Sequence, residues 1–391
     1  MCSISAMGLL CALGNNLDDI SSNLQLLHAP GFKASDAYLV GNKTSYFGFI
    51  QDDLPLIDDA NLKIHDSRNN RALLAAFLQI QDKVYKAIDK YGPSRVGIIL
   101  GTTTSGIDEG DKYVASELDD KSYTSWTYEK QEIGDTALFL KKYLKLNSIA
   151  YSISTACSSS ARAIISGHNL IKNNVLDAVI VGGVDTLARM PINGFLSLES
   201  LSLDKCEPFG EKRHGINIGE AAGLILLEKD ENSSLYIKGY GQSSDGYHIS
   251  APHPEGIGAK KCIQDALKMA NFQPQDIGYI NLHGTATPLN DKVEAMVIHD
   301  IFSNLVPCSS IKNLIGHTLG ASGICEAIIS LLILDKNLFL PCQNASHYTI
   351  DPSFKDFSLV QERGLKLKHN TIMSNTFAFG GNNVSIIFAR K

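Results

Sequence analysis

A single cysteine, Cys157, lies in the run Ala150-Tyr-Ser-Ile-Ser-Thr-Ala-Cys-Ser-Ser-Ser-Ala-Arg-Ala163, where a β-prone stretch gives way to small polar residues and then to a helical pattern. This spacing predicts a strand-to-helix elbow with the thiol at the helix N-terminus. There, unsatisfied backbone N–H groups and the positive end of the helix dipole favour thiolate over thiol and offer hydrogen bonds to an oxyanion. Two histidines follow far downstream, each in a loop rich in Gly and Thr: Asn281-Leu-His-Gly-Thr-Ala-Thr-Pro288 and Lys312-Asn-Leu-Ile-Gly-His-Thr-Leu-Gly-Ala-Ser-Gly323. A free cysteine ordinarily behaves as a small buried hydrophobe. At an elbow, with two loop histidines to be gathered by the fold, it becomes a candidate nucleophile.

The elements that must position these groups read as α/β. β-like runs at Arg95–Leu100, Ala150–Ser154, Ala178–Gly182, Ala222–Leu227, Ile277–Leu282 and Val384–Phe388 alternate with helix-like segments, which argues for substantial parallel sheet. After Cys157, Ala161, Ile164, Ile165, His168 and Ile171 keep helical spacing until Asn173-Asn174. After Gly323, Ile324, Ala327, Ile328 and Leu331 repeat that face until Asp335-Lys-Asn337. The two halves therefore echo each other as strand, reactive elbow and amphipathic helix. The polar break Glu231-Asn-Ser-Ser234 is the expected boundary between tightly packed halves, 1–231 and 232–391.

Composition narrows the class. The chain has 391 residues, 44% hydrophobic and 19% charged, enough for one large core or two related halves. Its eight cysteines form no C-x-x-C pair, which argues against zinc sites, redox motifs and a disulfide framework. No metal and no resident cofactor is expected. A net charge of −6 without a long basic block gives no reason to expect nucleic acid. The N-terminus has no basic segment before Lys33, and the stretch Ile324–Leu334 is too short to span a bilayer, so no signal peptide or membrane span is expected and the anticipated location is cytoplasmic.

Four ordered motifs carry a family resemblance that runs nearly end to end: Thr155-Ala-Cys-Ser-Ser159, His283-Gly-Thr-Ala-Thr-Pro-Leu-Asn-Asp291, Lys312-Asn-Leu-Ile-Gly-His317 and Ser374-Asn-Thr-Phe-Ala-Phe-Gly-Gly-Asn-Asn383. The chain resembles the β-ketoacyl-acyl carrier protein synthases, of the type I/II kind. That resemblance implies the thiolase fold, with two duplicated βαβαβαββ halves in five αβαβα layers. It also implies decarboxylative Claisen condensation. Cys157 would take an acyl chain from the phosphopantetheine arm of an acyl carrier protein, and the N–H groups of Cys157 and Phe379 would hold the oxyanion. Neutral His283 and His317 would donate to the enolate oxygen formed when malonyl-carrier protein loses its carboxylate. Lys312 would support His317, matched with Glu326. Thr285 and Thr287 would bind pantetheine amides, and Phe377 and Phe379 would flank the acyl tunnel, with Gly380-Gly381 supplying hinge freedom.

Some residues depart from the family pattern. Gly210 and His214 stand where acidic residues are common, Ala378 replaces a usual glycine and Asn382 a usual threonine. The segments Gly101–Glu109, Tyr128–Gly134, Ala156–Arg162 and Ser243–Pro252 look more like the elongating ketosynthases of bacterial aryl-polyene pathways than like fatty-acid enzymes. Those synthases pair with a cysteine-lacking homologue resembling a chain-length factor, so a heterodimer is expected beside the homodimer usual in the family. Arg68, Arg71, Lys212 and Arg213 are candidate contacts for an acidic carrier protein. Two other readings stand: a thiolase acting on coenzyme A esters, which should carry a second catalytic cysteine near the C-terminal Gly-rich loop, and a non-catalytic chain-length factor, which would not need Cys157 with both histidines.

Overall fold

The computed structural model describes residues 2–119, 126–229, 233–343, 348–354 and 358–391. Ten strands form its main sheet: β1 (Ser3–Cys11), β2 (Val96–Gly101), β3 (Ala150–Ile153), β4 (Ala178–Asp185), β5 (Ala221–Glu228), β6 (Leu235–Ser244), β7 (Tyr279–Asn281), β8 (Cys308–Ser309), β9 (Thr371–Phe377) and β10 (Asn382–Arg390). Their spatial order is β8-β7-β9-β10-β6-β1-β5-β4-β2-β3. Adding five to each label of the first half gives its counterpart in the second. The senses match too: β2 runs parallel to β3 and β4, as β7 does to β8 and β9, while the last strands of each half are antiparallel.

Six helices complete the repeat: α1 (Arg68–Leu78), α2 (Asp135–Tyr143), α3 (Ser159–Lys172), α4 (Ile257–Ala270), α5 (Pro288–Phe302) and α6 (Ser322–Lys336). Each half thus reads β-α-β-α-β-α-β-β, the duplicated arrangement expected. Three apolar cores lie between five layers. Helices α1 and α2 cover the outer face of the first half, α4 and α5 that of the second, and α3 and α6 fill the space between the two halves of the sheet. The halves join as one ladder at a single antiparallel pair, Ser3 with Tyr236. The expected boundary residues Glu231 and Asn232 lie outside the described residues.

The middle layer explains a difference from the sequence reading. Every residue from Ser322 to Leu334 is buried, so α6 is enclosed all round where an amphipathic helix was expected. A helix sandwiched between two sheet faces and a neighbouring helix has no side left for water. The periodicity did mark the right end: α6 stops at Lys336, with Asn337 in the left-handed region at φ 49°. The runs named from sequence do not include strands β1, β6, β8 and β9. In β6 the burial alternates as Lys238, Tyr240 and Gln242 reach the half-exposed face, which dilutes its apolar signal. No helix among the described residues is long and apolar enough to cross a membrane.

Helices α3 and α6 approach closely because small residues meet there. A Cβ built on Gly323 would lie 2.7 Å from the Cβ of Ala161, and the Ile324 N–H donates to Ser160 Oγ at 2.9 Å. This contact locks the helix that follows Cys157 to the helix that carries Glu326. Gly323→Val is therefore expected to destabilise the protein by about 3 kcal/mol through overpacking, read as a lowered denaturant midpoint at unchanged slope; an unchanged midpoint would show that the helices can separate freely.

Candidate active site

The β3–α3 elbow is built by serine hydroxyls. Ser158 Oγ donates to the Thr155 carbonyl at 2.8 Å and Ser159 Oγ to the Ala156 carbonyl at 2.6 Å, while the Thr155 N–H donates to Ser159 Oγ at 2.9 Å. The sharp turn forces Ala156 into the left-handed region at φ 51°, a strained geometry for a residue with a Cβ. Cys157 emerges just before α3 and is buried. Its Sγ lies 3.0 Å from His317 Nε2.

His317 follows the short helix Lys312–Ile315 and is strapped to the strand Ile218–Gly219: its N–H donates to the Asn217 carbonyl at 2.6 Å and its carbonyl accepts from Gly219 at 3.0 Å. The Leu319 N–H donates to His317 Nδ1 at 3.1 Å. A backbone amide can only donate, so Nδ1 carries the lone pair and the proton of neutral imidazole sits on Nε2, aimed at Cys157. His317 is thus a hydrogen-bond donor to the site.

His283 reaches the same tautomer by another route. Its loop after β7 is held from below by α5, where Glu294 accepts the N–H groups of His283 and Gly284 at 2.7 Å each and Asp291 accepts those of Ala286 at 3.2 Å and Phe209 at 2.7 Å. Lys312 Nζ then faces three acceptors: a Glu326 carboxylate oxygen, the His283 carbonyl and His283 Nδ1, the last at 3.4 Å. They match the three N–H bonds of an ammonium, which leaves the proton of His283 on Nε2. The sequence reading had placed Lys312 beside His317; the structure sets it on His283, because the short helix turns its side chain beneath the His283 loop. From sequence, Asp291 is named only as the end of the His283 motif, with no role of its own, and Glu294 is not named. Their only signal was a pair of acids three residues apart on a helix that should bury that face.

The electrostatics follow from burial. Both histidines are held well below the usual imidazole range, first by desolvation and then by the Lys312 charge, so they stay neutral donors. Burial pushes the Glu326 carboxyl up while Lys312 pulls it down. Burial likewise raises Glu294 to about 8 and Asp291 to about 6, against the backbone N–H groups that favour their ionised forms. The Cys157 thiol is pushed up to about 11 by burial, opposed by hydrogen bonds from the N–H groups of Phe379 and Cys157 and by the Lys312 charge. This corrects the sequence expectation of a resting thiolate: the helix terminus supplies its donors, but the enclosed site withholds the water a thiolate needs.

Cys157, His283, Thr285, Thr287, His317, Phe377 and Phe379 all line one cavity of about 340 Å³. Lys312 and Glu326 sit behind it, fully enclosed. Thr285 and Thr287 share a hydroxyl contact at 2.9 Å, and the Phe379 ring packs on Phe195 at 5.9 Å. His214 lines the mouth, with Nε2 3.0 Å from Ser202 Oγ. Sγ of Cys157 and one ring nitrogen of each histidine all lie within 4.8 Å of one another, a spacing that a metal ion could also use. The tautomers oppose that reading. Freeing both Nε2 atoms for a metal would turn Nδ1–H of His317 against the Leu319 N–H and that of His283 against the Lys312 ammonium. Three of the expected docking cations are committed within the chain: Arg68 to Glu220, Arg71 to Asp66 and Arg213 to Asp351. Lys212 is exposed.

Comparison with known proteins agrees with this geometry. Residues 3–233 match the β-ketoacyl synthase N-terminal domain, and residues 235–346 match the β-ketoacyl synthase C-terminal domain. The chain belongs to the β-ketoacyl synthase family. Among curated members, the 3-oxoacyl-[acyl-carrier-protein] synthase 2 of Rhizobium meliloti (strain 1021) is 31% identical over 341 residues, 82% of this chain and 80% of that protein. The enzyme of the same name from Staphylococcus aureus is 35% identical over 250 residues, 60% of this chain and 61% of its own length. Among solved structures, the ketosynthase ApeO in complex with its chain length factor ApeC from Xenorhabdus doucetiae is 49% identical, covers 100% of this chain and 98% of that one, and superposes with a TM-score of 0.97. A β-ketoacyl synthase from Burkholderia phymatum STM815 is 25% identical, with a TM-score of 0.87 over 100% of this chain and 99% of that one. This β-ketoacyl synthase is a condensing enzyme of the acyltransferase class with the thiolase fold. Among the described residues, the C-terminal loop of the synthase carries no second cysteine of the thiolase kind, and Cys157 with both histidines disfavours the non-catalytic reading.

Two outcomes test the electrostatics. Alkylation of Cys157 by iodoacetamide, followed by mass spectrometry, should accelerate roughly tenfold per pH unit between about pH 7 and pH 10, because the thiolate is formed only on the approach to about 11; a rate already flat near neutrality would contradict a resting thiol. Lys312→Met should cost about 3–5 kcal/mol by leaving Glu326 buried and unpaired. The double variant Lys312→Met/Glu326→Leu should recover most of that stability in chemical denaturation without recovering condensation, and recovery of both would remove the pair from the chemistry.

Proposed function

We propose that the enzyme elongates acyl chains by two carbons in an aryl-polyene or polyketide-type pathway, with Cys157 as the acyl-holding nucleophile and an acyl carrier protein delivering both substrates. The observation that carries this reading is the convergence of the Cys157 thiol with two neutral Nε2–H donors in one cavity. In the first half-reaction the Cys157 sulfur attacks the acyl thioester, its proton ends on the departing pantetheine sulfur, and the N–H groups of Cys157 and Phe379 hold the tetrahedral oxyanion. In the second, malonyl-carrier protein loses carbon dioxide, and the enolate oxygen takes hydrogen bonds from His283 and His317, which do not protonate the carbon because each is neutral. The carbanion attacks the Cys157 thioester, and the thiolate released takes up a proton to restore the resting thiol. Thr285 and Thr287 hold the pantetheine arm, while Phe377 and Phe379 bound the acyl chain. No cofactor beyond the pantetheine of the carrier protein takes part.

The conjugated chain and the partner rest on resemblance. The similarity to a ketosynthase solved with its chain length factor supports a heterodimer with a cysteine-lacking homologue, and the four sequence segments named above support rigid, conjugated substrates. A homodimer is the competing assembly. The reading places the enzyme in the cytoplasm and divides it functionally at 231/232.

Mass spectrometry of products from the purified chain tests this directly, with malonyl-carrier protein and a panel of saturated and conjugated acyl-carrier proteins, with and without the co-expressed homologue. Conjugated acceptors should be elongated best, and only with the homologue present; efficient elongation of saturated chains by the chain alone would replace the pathway reading with a fatty-acid one. Cys157→Gln should abolish acyl transfer and leave malonyl decarboxylation running. His283→Ala and His317→Ala should each slow decarboxylation by roughly a hundredfold or more, and a variant that decarboxylates at the wild-type rate would remove that histidine from its role.

A further inference from the structure

Arg162 is placed where a cation is costly. It lies five residues beyond Cys157 on α3, half-buried, and among the described residues no carboxylate pairs with it. Its Nε has no acceptor there, and desolvation pulls its pKa down. A guanidinium left in this state needs a compensating role. Its two hydrogen bonds run from one Nη2, to the Ser243 carbonyl and to Asn382 Oδ1, each at 3.3 Å.

Asn382 closes the turn that carries Phe379. The Ala378 N–H donates to the Asn382 carbonyl at 3.1 Å, and the Gly381 N–H to the Ala378 carbonyl at 3.0 Å. Gly380 and Gly381 both adopt positive φ, 75° and 72°, so Phe379 stands beside a flexible pair. Two backbone bonds tie this turn to the loop after β6, Gly380 N–H to the Ile249 carbonyl and Asp245 N–H to the Gly381 carbonyl. On that side Ile249 is 80% exposed, while Asn383 Nδ2 donates to Asp245 Oδ1 at 2.7 Å and Asn382 pairs with Ser244 where β10 begins, so the turn is held at its base by the sheet and less firmly at its tip. The tie from Asn382 to Arg162 runs instead to α3, the buried helix whose N-terminal end holds Cys157.

We propose that Arg162 is a positioning residue for acyl transfer: through Asn382 it references the Phe379 turn to the nucleophile helix, so that the Phe379 N–H stays aimed at the thioester oxygen on Cys157. The helix that places the sulfur is then tied, by way of the guanidinium, to the turn that carries the second oxyanion donor. Asparagine suits the task because its amide oxygen reaches out from the turn to the guanidinium. The proposal rests on the Cys157 acyl-enzyme reading. It separates the two half-reactions, since the enolate is held by His283 and His317 and not by the Phe379 turn.

The test measures each half-reaction alone, in the full chain with its co-expressed partner. Acylation of Cys157 by acyl-carrier protein is followed by mass spectrometry in a single turnover. Malonyl decarboxylation is followed by carbon dioxide release in the Cys157→Gln background. Arg162→Met and Asn382→Ala should each slow acylation by roughly tenfold with decarboxylation within about twofold of its reference. Arg162→Lys should recover part of the loss, and the double variant should be no slower than the slower single one, the signature of a shared interaction. Acylation unchanged in both single variants, effects of the two substitutions that multiply, or acylation and decarboxylation falling together would each overturn the proposal; if Arg162→Met fails to fold, Asn382→Ala alone decides between these outcomes. A wild-type enzyme that never acylates Cys157 would overturn the acyl-enzyme reading and this proposal with it, whereas a wild type that acylates alongside unmoved variants would overturn this proposal only.

Discussion

Lys312 puts a full positive charge in the middle of the molecule, with its side chain only 1% exposed. Such a charge is tolerable only if every N–H finds an acceptor, and the three it meets come from two parts of the chain: a carboxylate on α6, and the carbonyl and a ring nitrogen of His283 in the loop after β7. That requirement couples several features otherwise unrelated in sequence. It fixes the His283 tautomer, adds to the burial that keeps both imidazoles neutral, and demands an acidic residue in the buried stretch of α6.

Duplication supplies the frame for that coupling. Helices α3 and α6 occupy equivalent positions in the two repeats and meet at the centre through Ala161 and Gly323. One has kept the nucleophile at its elbow. The other carries Glu326 and, in the loops around it, the histidines. Neither half alone can assemble the cavity, because Cys157 and His317 are 160 residues apart and belong to different repeats. The division of labour is therefore a consequence of the two halves of the sheet sharing one middle layer.

The cavity trades resting reactivity for control. Enclosure raises the Cys157 thiol and lowers both histidines, so that the groups that meet the substrate rest uncharged, while their charged support, Lys312 and Glu326, is set behind the wall. Preorganised N–H groups at the elbow and at Phe379 then act on charge as it develops and not before. Strain at Ala156 and the paired glycines at Gly380 and Gly381 mark the two backbone segments bent to present those donors.

Much of this was legible in the chain itself. The elbow at Cys157, the two histidine loops, and the ends of α3 and α6 follow from local signals: small polar residues at a turn, Gly/Thr-rich loops, and Asn at helix termini, whereas the match of Lys312 with Glu326 came from the family resemblance. These depend on neighbours in sequence, and local sequence determines them. What waited for the tertiary structure depends on neighbours in space. The partner of Lys312 proved to be His283, the thiol proved to rest protonated, α6 proved buried all round, and Asp291 and Glu294 emerged as supports of the His283 loop. Arg68, Arg71 and Arg213, candidate contacts for a carrier protein, proved to be paired within the chain. In each case the deciding quantity was burial or a hydrogen-bond partner contributed by a distant segment, and neither is encoded in the residues on either side.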